Sequence, residues 1–407
     1  MPLLATSVAV CRLFWCGYRV RRYDVRSSQD GCTGTDGCAA SSPCPRPFRF
    51  RTVSSPDLLE PRAAISLLGH YRAFHGGGNT DIALSDYLTG EVSILLGNGD
   101  GTFQKALKFE AASPVRLEAG DFNEDGNQDL AVVESNGTAN GAIAIFIGDG
   151  HGHFRLSDKH TVGVGPISVA LADFDGDGHL DVAVTNKGFD NPGSIMTFLG
   201  DGKGRLHGRK TYTLDGGPWG IAAADLNGDG RPDIAVTLDP GGTVAVYMNN
   251  GRGTFLAPVI YDAGGGEVLD VKTGDLKNNG SQDLVVVNSS LGRIAILMNR
   301  GNGTFKNANF YSSSLGKNGS GADAVVVADF HLNGRLDLAV ANQDGDSAVL
   351  YGNGLGGFGN PVSIRVTKNT SDVYSIAVGD FNNDGAPDIA IPIEADPGTV
   401  AVFINTQ

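Results

Sequence analysis

Nine residues, Asp173 to Asp181, read DFDGDGHLD and set acidic side chains at positions 1, 3, 5 and 9. Gly176 and Gly178 permit the tight bend that gathers them, because glycine tolerates positive φ. Carboxylates that close repel one another unless a hard cation sits between them. An all-oxygen, strongly acidic donor set favours Ca²⁺ over zinc, copper or iron. The chain repeats the motif as DFNEDGNQD at 121–129, DLNGDGRPD at 225–233, DLKNNGSQD at 275–283, DFHLNGRLD at 329–337 and DFNNDGAPD at 380–388. An eroded copy, AFHGGGNTD, occupies 73–81. Successive copies start 48, 52, 52, 50, 54 and 51 residues apart, which makes seven units.

Four loops keep the full acidic pattern. Their candidate ligands are Asp121, Asn123, Asp125 and Asp129; Asp173, Asp175, Asp177 and Asp181; Asp225, Asn227, Asp229 and Asp233; and Asp380, Asn382, Asp384 and Asp388. An EF-hand would need a bidentate Glu at position 12 and flanking helices. Here position 12 is Val132, Val184, Val236 or Ile391, so that reading is excluded. The other three loops have lost acids. His75, Lys277 and His331 stand at position 3, and the Lys277 ammonium is expected between Asp275 and Asp283 in place of an ion. His75 and His331, in loops two blades apart, read as locally bonded side chains rather than a transition-metal pair.

The elements that position these loops are short strands. A small apolar segment such as Ile221-Ala222-Ala223-Ala224 enters each nonapeptide, and a β-branched run such as Asp233–Thr237 leaves it. A glycine turn, a third strand and a second Gly/Asn turn complete the unit, with no helical period. Four strands in about 50 residues is the arithmetic of a propeller blade. Phe103, Phe154, Phe255, Phe305 and Phe358 recur after the last turn and are expected between blades. The last unit stops after its third strand, and a spare stretch, Phe48–Val53, precedes the first. Pairing of these ends would close an all-β ring of seven four-stranded blades over residues 47–407 and leave no open edge.

The nonapeptides and their period resemble the FG-GAP/VCBS repeat family, which includes the propeller of integrin α subunits. The resemblance implies a loop between the first two strands of each blade and about four Ca²⁺ sites. It also implies that position 7, here Asn127, His179, Arg231 or Ala386, contributes its backbone carbonyl. Ion loops on one face would leave the opposite face for a ligand.

Composition agrees. The 407 residues include 59 glycines and carry a net charge of −14, which argues against nucleic-acid binding. Residues 1–62 hold nine Arg and five acids, so the acidic excess lies in the repeats. All five cysteines fall within the first 44 residues, and residues 1–46 read as a leader, disordered or from a misassigned start, with a degenerate export signal as the alternative. No apolar run reaches the roughly 18 residues of a transmembrane span. Sites of extracellular-type affinity would be empty at cytosolic Ca²⁺, so a secreted, cell-surface or periplasmic location is expected.

The expected function is non-catalytic binding or adhesion, as a monomer, to a glycan or protein. Trp219, Tyr374, Arg116 and Asp323, near the starts of innermost strands, form the candidate patch. An aromatic at a channel mouth suits sugar stacking or a peptide hot spot. A polysaccharide lyase or hydrolase on the same ring is the alternative, although no nucleophile motif is present. A purely structural repeat is the third reading.

Overall fold

The structure, a computed structural model, describes residues 50–53, 74–189, 192–314, 321–343, 345–365, 373–393 and 399–406. The leader proposed for residues 1–46 lies outside them. The described strands form seven antiparallel sheets, six of four strands and one of three. Blade 4 is representative, running outward from Gly217–Ala224 through Asp233–Asp239 and Thr243–Tyr247 to Val259–Asp262. Blade 1 comprises Ile82–Asp86, Glu91–Leu95 and Leu107–Glu110.

The ring closes as the chain ends require. Phe50–Val53 pairs antiparallel with Thr399–Asn405, with Phe50 opposite Asn405 and Val53 opposite Val402, and supplies the outermost strand of blade 7. Second strands are sandwiched by neighbouring blades, so Asp181–Asn186, Asp283–Asn288 and Asp337–Asn342 are buried along their whole length. Each hydrophobic cluster is shared between adjacent blades. Ala183 and Ile195 of blade 3 pack with Ile234, Val236 and Tyr247 of blade 4.

The recurrent phenylalanines lie at these junctions. Phe255 stacks edge-on against Phe174 of the preceding blade, Phe154 against Phe74 and Phe103 against Phe381. The last pair joins blade 1 to blade 7. Innermost strands of blades 2 to 7 line an axial cavity of about 620 Å³.

Candidate cation loops and the opposite face

In blades 2 to 7 each nonapeptide turns the chain from the innermost strand into the second. Position 6 is glycine in all seven, with φ from 76° at Gly78 to 92° at Gly178. A Cβ at Gly126, Gly178 or Gly230 would meet nothing, so backbone conformation rather than space demands glycine there. Position 4 also takes positive φ. It is glycine at 176 and 228 but Glu124, Asn278, Leu332 and Asn383 in four other loops. Position 1 organises the turn by accepting backbone amides: Asp173 takes N–H groups from Gly176 and Gly178 at 2.7 and 2.9 Å.

Asp173, Asp175 and Asp177 each bring one oxygen to within 4.8 Å of the others. Hard-cation ligands at about 2.4 Å lie up to roughly 4.8 Å apart across the ion, so this trio can coordinate a metal ion. It is the one such carboxylate group among the described residues. Of the about four loops expected to hold an ion, this one gathers three carboxylates, and position 3 sets it apart. Asn123, Asn227 and Asn382 stand there in the other loops and donate to Asp125, Asp229 and Asp384 at 2.8, 3.2 and 2.8 Å. At position 7 the backbone N–H of Asn127, His179, Arg231 or Ala386 donates to the position 5 carboxylate.

Position 9 has a second role that the motif alone does not reveal. Asp181 accepts from the Phe174 N–H at 2.7 Å and, across the hairpin, from the Gly200 N–H at 2.7 Å. Asp129, Asp233 and Asp388 make the same two bonds. So does Asp81, in a loop stripped of other acids. This aspartate ties the loop to the end of the third strand whether or not the loop is acidic. Burial pushes Asp129, Asp181 and Asp233 up to about 6 and Asp388 to about 7, with the neighbouring loop carboxylates adding to the rise.

The eroded loops share an arrangement of their own. His75 Nδ1 lies 2.9 Å from Asp81, Lys277 Nζ 3.6 Å from Asp283 and His331 Nδ1 3.3 Å from Asp337. Each position 3 base therefore sits against the position 9 carboxylate. Lys277 also donates to the Asn299 carbonyl at 3.1 Å, while Asp275 is held by the Asn279 and Gly280 amides. The ammonium contacts Asp283 and does not bridge to Asp275, whose oxygens the turn already uses.

Loops and blades are stapled together. Gly204 N–H donates to the Phe122 carbonyl at 2.8 Å, and Gly253 N–H to that of Phe174 at 3.2 Å. Gly101 N–H donates to the Phe381 carbonyl at 2.9 Å, from blade 1 to blade 7. Each of these loops thus braces the contact with the following blade as well as its own hairpin.

At the other end of the innermost strands a β-bulge recurs. Register slips past Val115, Ile167, Trp219, Leu269 and Asp323, the residues six before their loops. A bulge re-aims a side chain. Trp219 is half-buried under Lys187, whose Nζ is 4.1 Å from the ring centroid. Asp323 is buried and accepts from Gln343 at 2.8 Å and from Ser289 at 3.3 Å. Arg116 turns into the axial cavity, 3.7 Å from Asp270 of blade 5, while Tyr374 is half-buried in blade 7. The four candidates share a face, but of them Arg116 alone lines the cavity.

Repeated acidic turns at the blade junctions of a closed seven-sheet ring define a repeat β-propeller, one of whose loops can coordinate a metal ion. FG-GAP-like repeats match residues 74–132, 121–184, 173–236, 275–340 and 329–391, and the chain belongs to that family. No protein of curated function matches it. Among solved structures, it is similar to an Agrocybe aegerita lectin described as recognising non-reducing terminal N-acetylglucosamine. The TM-score is 0.54 at 19% identity, over 85% of this chain and 90% of the lectin. It is also similar to BBS1N, solved in complex with ARL6DN, with a TM-score of 0.57 at 15% identity over 85% of this chain and 94% of that one. At these identities the likeness is one of fold.

Proposed function

We propose that this chain is an extracytoplasmic, non-catalytic binding or adhesion module. In this reading Ca²⁺ at about four loops stiffens the ring, and the opposite face takes a glycan or protein. The supporting observation is a division of labour along the innermost strands. One end carries the acidic turns and blade staples, and the other carries bulges that leave Val115, Ile167, Trp219 and Leu269 half-buried. At the three asparagine-bearing loops Oδ1 accepts the position 5 N–H and keeps a second lone pair, which could join the aspartates at positions 1, 5 and 9 in an oxygen set. Bound Ca²⁺ would supply charge neutralisation there, and the chain's own residues would keep the loops pinned to the next blade.

Likeness to a lectin and to a protein-binding propeller agrees with a module of this kind and assigns no ligand. The charges in the axial cavity compensate one another, with Lys272 Nζ 3.2 Å and Arg116 3.7 Å from Asp270, which favours binding over acid–base chemistry. Glycan-array binding by the purified chain, with millimolar Ca²⁺ and again with EDTA, tests the reading. The expected result is retention of a defined glycan class that weakens on chelation. Glycan cleavage would replace the module with an enzyme. Binding and folding indifferent to EDTA would remove the calcium half of the proposal.

A further inference from the structure

The bulge on the face opposite the loops is built the same way in blades 4 and 6, with opposite outcomes. In blade 6 the bulge residue Asp323 meets Ser289, which follows the second strand of blade 5, and Gln343, which follows that of blade 6. In blade 4 the bulge residue Trp219 meets Lys187, which in turn reaches Asp239, and these two occupy the equivalent places of the repeat. Lys187 ties the group together, with its Nζ 4.1 Å from the indole centroid and 3.7 Å from Asp239 Oδ2. The blade 6 trio closes by hydrogen bonds from its own side chains. The blade 4 trio leaves two buried polar atoms without a protein partner, Trp219 Nε1 and Asp239 Oδ1.

A buried donor or acceptor without a partner is costly, and native structures pair such groups with protein, water or ligand. The blade 4 pair comprises one donor, an indole N–H, and one acceptor, a carboxylate oxygen. Sugar hydroxyls can accept from the first and donate to the second once the Lys187 side chain swings off the ring and opens both atoms. The indole ring adds an apolar surface for the carbon side of a pyranose. Lys187 and Asp239 balance each other in charge, which suits a neutral sugar over a uronate or a phosphate.

From these observations we propose that Trp219, Lys187 and Asp239 form a subsite, between blades 3 and 4, for a neutral hexopyranose. The proposal rests on the reading of the opposite face as a ligand face and adds to it the residues and the ligand class. Trp219 provides the indole N–H and ring, Asp239 the acceptor, and Lys187 the cation that positions both.

The test uses the full chain with Ca²⁺ and a Trp15→Phe background, which leaves Trp219 as the single tryptophan. Titration with a panel of neutral hexoses and N-acetylhexosamines is expected to shift its emission and protect it from acrylamide for at least one sugar. Trp219→Phe, which keeps the ring and removes the N–H, and Asp239→Asn are each expected to weaken glycan-array binding at least tenfold. If a variant fails to fold, the fluorescence titration of the parent chain still decides. Array binding that persists within twofold in both variants, with no change in Trp219 emission, would overturn the subsite and leave the binding module standing. A chain that binds no glycan would overturn the subsite and the glycan arm of the functional reading together. Binding only of acidic sugars, undiminished in Lys187→Met, would overturn the assignment of ligand class.

Discussion

The loops of blades 3 and 5 follow one backbone path with opposite electrostatics. In blade 3, Asp173, Asp175 and Asp177 crowd their oxygens together, and burial and that crowding push Asp181 up to about 6. In blade 5 burial again raises Asp283, but Lys277 draws it back down. His331 does the same for Asp337 in blade 6. Both loop types keep glycine at position 6 and the position 9 bond across the hairpin, from the Gly200 N–H to Asp181 and from the Asn299 N–H to Asp283. What the repeat preserves is therefore the staple. The eroded loops place a basic side chain beside it, whereas the blade 3 loop gathers carboxylates that can take an ion. The difference teaches that loop charge and loop architecture are separable in this fold.

Chelation should break the contrast most severely. At a Kd near ~0.1 mM, millimolar Ca²⁺ adds about 1.4 kcal/mol per site, and four sites add about 6 kcal/mol. Denaturant unfolding with Ca²⁺ and with EDTA measures the gap, and a gap under about 1 kcal/mol would remove the acidic loops' claim to be ion staples. The second test asks whether position 9 matters equally in both classes. Asp233→Ala strands two buried N–H groups, and Asp283→Ala strands the Asn299 N–H and leaves Lys277 without its carboxylate, so each should cost about 3 kcal/mol in EDTA. A cost confined to Asp233 would make position 9 a metal ligand first and a staple second.

Much of this was legible in the chain. The nonapeptides recur at a fixed period with glycine turns between them, so blade number and ring closure through Phe50–Val53 could be read directly. The double duty of Asp181 could not be, because a carboxylate that accepts amides and one that binds an ion look alike in a motif. Position 3 offered a clue, since His75, Lys277 and His331 are all basic, but their common contact with position 9 needs three dimensions. The bulge at Trp219 has no local signature, as Val115, Ile167, Leu269 and Asp323 occupy the same place. Lys187 and Asp239 carry no motif, the one just past the end of a second strand and the other its last residue. Comparing that position with Ser289 and Gln343 was the available signal.

Exchanging one loop type for the other sharpens the comparison. Lys277→Asp converts the blade 5 loop to DLDNNGSQD, an acidic pattern on an unchanged staple. The variant should lose about 2 kcal/mol in EDTA, where Asp283 loses its cation, and regain about 1.4 kcal/mol with millimolar Ca²⁺. Equilibrium dialysis should count one more Ca²⁺ per chain than the parent. An unchanged count would mean that the blade 5 loop differs in backbone as well as in charge.

The smallest effect expected is on pH. Asp129, Asp181 and Asp233 are raised from 3.8 to about 6, so in the absence of metal the folded chain holds protons that the unfolded chain has released. That contribution to stability is complete below pH 3.8 and is lost as pH rises through about 6. Ca²⁺ reverses the preference, because a cation beside these carboxylates competes with the proton. Affinity should therefore fall on acidification, by about fourfold between pH 7.5 and 5.5 for a carboxylate titrating near 6. Calorimetric titrations at the two pH values measure it. In Lys277→Asp the added site should follow the same slope, since Asp283 would then lie among carboxylates as Asp181 does. A pH-independent affinity would show that position 9 lies too far from the ion to sense it, leaving positions 1, 3 and 5 to hold the metal and position 9 to hold only the fold.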